Sequence, residues 1–69
     1  MERFDSFLGV VTGINHSGVY ITSKNGGSTY SYGGNIPIGS KVLCTVLGEA
    51  GEKLYPRVSI DSVINYRML

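Results

Sequence analysis

Apolar and polar residues alternate along most of the chain, and no window sustains the apolar period of an amphipathic helix. A period of two sends successive side chains to opposite faces of a sheet, so the pattern predicts short strands. Phe7 to Ile14 is apolar and β-branched and predicts the first. Asn15-His16-Ser17-Gly18 reads as a turn. Val19 to Ser23 follows, with Val19 and Ile21 on one face and Tyr20 and Thr22 on the other. Lys24-Asn25-Gly26-Gly27 carries Asn-Gly, a strong hairpin signal whose two central residues are expected at positive φ. Ser28 to Tyr32 is the third strand, setting Tyr30 and Tyr32 against Thr29 and Ser31. Gly33 to Ser40 is a loop held by Pro37 and Gly39. Lys41 to Leu47 is the fourth strand, with Val42, Cys44 and Val46 on one face. Gly48 to Lys53 is an acidic turn, and Leu54 to Ile60 the fifth strand. Pro56 lies inside it and marks an edge or a break, because proline has no N–H for the ladder. Asp61 to Leu69 is expected to form a helical turn that packs Val63, Ile64 and Met68 against one end.

Five short strands in 69 residues make a single all-β domain. A flat sheet would expose one apolar face, whereas a small closed barrel covers it and removes most of the edges. A five-stranded Greek-key OB barrel and an SH3-like barrel are the two candidates. Phe4 and Phe7 are expected to close a barrel end. Ten glycines, about twice the usual frequency of roughly 7%, suit the many turns. One cysteine excludes an internal disulfide, and one histidine excludes a zinc site built from several Cys and His, so no metal or other cofactor is expected. Cys44 alternates with Val42 and Val46 and reads as an inert buried side chain. No apolar run approaches the ~20 residues of a membrane-spanning helix, and the Met-Glu-Arg-Phe-Asp start has no apolar signal core. The expected compartment is the cytoplasm, with no membrane partner.

Gly9-Val10-Val11-Thr12-Gly13-Ile14, followed by Gly18-Val19-Tyr20-Ile21, resembles the opening of the ribosomal S-one type RNA-binding domain, whose pattern is Gly-x-Val-x-x-Ile, a short turn, then Gly-small-Phe-Val. Ile38-Gly39-Ser40-Lys41-Val42-Leu43-Cys44-Thr45-Val46 resembles that family's Leu-x-x-Gly-x-x-Val-x-x-x-Val segment, shortened before the Gly. Arg57-Val58-Ser59-Ile60-Asp61 resembles its Arg-Ile-x-Leu-Ser ending. The likeness covers residues 7 to 61, which the resemblance implies is the core of one OB barrel. Three departures stand out: Ser17 occupies a position usually aromatic, Tyr30 falls near a usual histidine, and only Gly33 to Pro37 remains of a longer helical connection. The resemblance implies single-stranded RNA binding and matches Arg57 to the family's last-strand basic residue.

The residues themselves supply the parts for that activity. OB barrels bind single strands by stacking bases on aromatic side chains flanked by positive charge. Tyr20, Tyr30 and Tyr32 are expected to stand off one barrel face, with Lys24, Lys41 and Arg57 at its border and His16 on the adjacent turn. The net charge of +1 is too small for binding by bulk charge alone. The acidic residues nevertheless avoid the stretch from Ser6 to Gly48, which holds His16, Lys24 and Lys41, so one face is expected to be locally positive. Single-stranded RNA is the expected partner, with single-stranded DNA as a related ligand. No enzymatic activity is expected, because His16 has no carboxylate near it in sequence and neither Gly-Gly pair is followed by the Lys-Ser/Thr of a phosphate loop. The rival reading is a protein-interaction or structural module that pairs with another protein or a second copy through its tyrosines or its apolar tail, Val63, Ile64, Met68 and Leu69.

Overall fold

The computed structural model describes residues 4–50 and 55–65. Within them the strands are β1 (Ser6–Ile14), β2 (Gly18–Ser23), β3 (Ser28–Tyr32), β4 (Lys41–Ala50) and β5 (Pro56–Asn65). They pair in the closed order β1-β2-β3-β5-β4, with β4 returning to β1. Every pairing is antiparallel except β3 with β5. The chain is therefore all-β, a small five-stranded Greek-key barrel of the OB type.

Alternation sorts the side chains as the sequence predicts. Val11 of β1, Val19 and Ile21 of β2, Val42, Cys44 and Val46 of β4 and Val58 of β5 form the buried core, with Phe7, Ile36, Ile60 and Val63 packed against it. β-branched residues dominate because they fit a pleated, enclosed surface. β3 turns its small hydroxyl residues inward: Thr29 and Ser31 oppose Ile21 and Val19. The buried Thr29 Oγ1 donates to the Ile21 carbonyl at 2.9 Å, so that inward hydroxyl is satisfied.

Four expectations are corrected. The β2–β3 turn is not the two-residue form with two left-handed residues. Gly26 N donates to Ser23 O (2.9 Å) and Ser23 N to Gly27 O (2.8 Å), and Gly26 takes the left-handed conformation (φ 86°) while Asn25 does not. This is a three-residue loop ending in a left-handed glycine, the next most common hairpin solution. β4 runs on to Ala50, so Gly48 lies within the strand and opens no turn; residues 51–53 and Leu54 lie outside the described residues. The tail does not coil at Asp61: β5 continues to Asn65, because Val63 still pairs with Val42 and packs on the core. Met68 and Leu69 lie outside the described residues. Phe4 is 68% exposed and does not close the barrel end, whereas Phe7 packs against the core. Pro56 is the first residue of β5, where a missing N–H disturbs the ladder least.

The barrel wall is uneven. Among the described residues, β3 and β5 are joined at one register pair, Tyr30 with Arg57. This seam is where the aromatic residues gather.

Candidate nucleic-acid interface

Tyr20 and Tyr30 are directly opposed across the β2–β3 pair, and Tyr30 is in turn the β3 residue that meets β5. Their rings meet edge to face at 4.9 Å between centroids. Tyr32 meets Tyr30 the same way at 4.9 Å, and Tyr55, immediately before β5, meets Tyr20 at 5.6 Å. The Arg57 guanidinium carbon lies 5.4 Å from the centre of the Tyr32 ring, within reach of a cation–π contact. The four tyrosines and Arg57 thus form one continuous strip across β2, β3 and the start of β5.

Asn15 organises one end of the strip. Its Oδ1 accepts from the backbone N–H groups of Ser17 and Gly18, both at 2.9 Å, which closes the β1–β2 turn. The same oxygen accepts the Tyr30 hydroxyl at 2.7 Å, and Asn15 Nδ2 donates to the Tyr20 hydroxyl at 3.3 Å. Gly18 is required beside it: a Cβ there would run into the Ser31 carbonyl oxygen and meet the Tyr30 hydroxyl at 2.9 Å. The turn and the tyrosines are therefore one unit.

The expected site residues divide. Tyr32 is half exposed, at 50%, and Tyr20 is half buried. Tyr30 is completely covered, so its ring offers no face for stacking. Alternation turns it outward, but Tyr20 and Tyr32 flank it and Asn15 holds its hydroxyl, which makes it a post beneath the strip. Arg57 joins Tyr32 as expected. His16 is exposed in the turn that Asn15 closes. Lys24 and Lys41 do not border the tyrosines; they line a second groove with Leu8, Val10, Thr12 and Thr22. Asn15 and Tyr55 were not legible as site residues. The Asn-x-x-Gly spacing of a side-chain-closed turn was the available signal for Asn15; Tyr55 becomes visible only once β5 is placed beside β3.

Next to the strip is an open cleft of about 420 Å³, walled by Tyr32, Gly34, Ile36, Leu47, Arg57 and Ser59. That volume falls in the range of about 300–1,000 Å³ typical of ligand sites. It offers apolar surface from Ile36 and Leu47, a hydroxyl from Ser59 and positive charge from Arg57. Beyond it, Asp61 is bound to Thr45, whose Oγ1 donates at 2.5 Å, and to Ser59, whose Oγ donates at 3.4 Å. Cys44 takes no part in the site. It is buried, and desolvation, with the Asp61 carboxylate adding to it, pushes its thiol up to about 12.

No protein-family model, curated protein or solved structure matches the chain.

Proposed function

We propose that this barrel is a binding module for single-stranded nucleic acid, RNA in the first place, that seats bases against the tyrosine strip. The observation that carries the reading is the half-exposed Tyr32 ring with Arg57 beside it, opening on the cleft between β3 and β5. Stacking needs an accessible ring and a nearby cation for the phosphate, and this end of the strip has both. OB barrels take oligonucleotides on the face of their second and third strands, where Tyr20 and Tyr32 lie. The motif resemblance to the S-one family points the same way.

The test is an NMR titration of the labelled domain with a short mixed-sequence single-stranded RNA at low salt. Shifts are expected at Tyr32, Arg57, Tyr20 and Tyr55. Replacing Tyr32 by Ala should weaken binding by about 5- to 150-fold, the equivalent of the roughly 1–3 kcal/mol per stacked base. Absence of shifts at millimolar RNA would overturn the reading and leave the interaction-module alternative in its place.

A further inference from the structure

The second groove is left without a role by the tyrosine strip. It has a volume of about 360 Å³, and its floor is Leu8, Gly9 and Val10 of β1. Thr12 and Thr22 form one wall, their hydroxyls 2.9 Å apart, and Lys24 and Lys41 stand at the rim, both exposed. The groove has no acidic residue in its lining, and none occurs in the sequence between Ser6 and Gly48. Ser23 also lines it, with its side chain on the core side of β2 in phase with Val19 and Ile21. Two exposed lysines at the rim of a groove with no acidic residue in its lining suit it to an anionic occupant.

The two surfaces share a strand. Tyr20 and Thr22 project from the same side of β2, and Lys24 follows in the turn that ends it. Four residues of strand span about 13 Å at the usual rise of about 3.3 Å per residue. A stacked single strand covers that distance in about four nucleotides at about 3.4 Å each.

We propose that a single strand bound at the tyrosine strip runs on along β2 into this groove, where Lys24 and Lys41 hold its phosphates. The inference rests on the nucleic-acid reading above. It makes the footprint longer than the strip alone and divides the labour: Tyr32 and Tyr20 hold bases, and the two lysines hold backbone. Neutralising two phosphates of a single strand contributes about 1.4 to the slope of log affinity against log salt.

The experiment compares an eight-residue oligoadenylate with diadenylate on the full chain, in the wild type and in a Lys24→Ala/Lys41→Ala double variant. Both lysines are exposed, and a thermal melt confirms that the variant folds. The octamer should lose about 1.4 of its salt slope in the double variant, which makes the affinity change between 50 and 200 mM salt about sevenfold smaller. Diadenylate, too short to reach the groove, should bind both proteins alike. An unchanged octamer slope together with a loss of binding in Tyr32→Ala would overturn this inference and leave the proposed function standing. No octamer binding by the wild type would overturn both. Shifts at Lys24 and Lys41 with oligoglutamate but not with the octamer would assign the groove to an acidic protein segment and overturn the strand path.

Discussion

Asn15 ties the β1–β2 turn to the two tyrosines at the centre of the strip, and its replacement separates those roles. In Asn15→Ala the Tyr30 hydroxyl loses the acceptor at 2.7 Å and the turn loses its two bonds to Ser17 and Gly18, which together should cost about 1–3 kcal/mol. Tyr30→Phe deletes the donor and should cost less, about 1 kcal/mol. If the bond is the main link, the double variant should be less destabilised in urea than the sum of the two single variants; strict additivity would show that Asn15 acts through the turn alone. Cys44 provides a pH test. Its thiol is raised from 9.0 to about 12 in the fold, so the native state holds that proton more tightly than the unfolded chain does. Below pH 9 both states are protonated and the group adds no pH dependence. As pH climbs from 9 toward 12 the unfolded chain alone ionises, and stability should fall by up to about 1.4 kcal/mol per pH unit. Cys44→Ala should lack that component of the slope, so equal slopes for the two proteins in alkaline urea melts would refute the assignment. These residues also show what a sequence discloses. Alternation identified Cys44 as buried among valines and Tyr30 as facing outward. It reports which way a side chain points, not what covers it, so the burial of Tyr30 under Tyr20 and Tyr32 was not legible.

Strand pairing explains which parts of the architecture the pattern revealed. β1 and β2 begin and end close to their expected limits, and β4 begins at its own, because each has apolar core positions in phase: Val11, Val19 with Ile21, then Val42, Cys44 and Val46. β3 was legible from its flanking glycines and its tyrosines, although its inward residues are Thr29 and Ser31. The tail differs from the expected helical turn because Val63 and Ile64 are adjacent, and adjacent apolar residues suit a helical turn and a strand edge equally. What decides it is the length of β4. Val42 at its beginning needs an inward partner, and β5 reaches it with Val63 after register shifts that restore the alternation. The division of the lysines from the tyrosines has a similar origin. Lys24 sits one turn from β3 in sequence, but barrel curvature and the β1–β2 pairing of Val10 with Thr22 direct the end of that hairpin toward β1. Closure of the barrel determines this, and closure leaves no mark in the local pattern.

Taken as a whole, the barrel is held by long antiparallel pairings everywhere except between β3 and β5, where a single parallel pair joins the walls and the tyrosine strip lies across the gap. Side-chain packing therefore supplements a short hydrogen-bonded bridge in closing the barrel at this point. Local opening follows the least connected boundary, so the seam should open at lower free energy than the rest of the wall. In native-state hydrogen exchange, the Arg57 amide and the amides of β3 that face β5 should exchange faster than those of β1 and β4. Protection in β3 equal to that in β1 would show that the strip closes the seam as firmly as a ladder. The same opening parts Tyr32 from Arg57, the pair on which the proposed base site rests. A single strand that binds only the closed form should then slow exchange at the seam by one plus its concentration divided by Kd, about 100-fold at a hundred times Kd. Slowing by that full factor would mean that closing the barrel and forming the site are one event. Binding with no slowing at the seam would mean that the ligand is held by surface that survives the opening, and Tyr32 with Arg57 would cease to be the centre of the site.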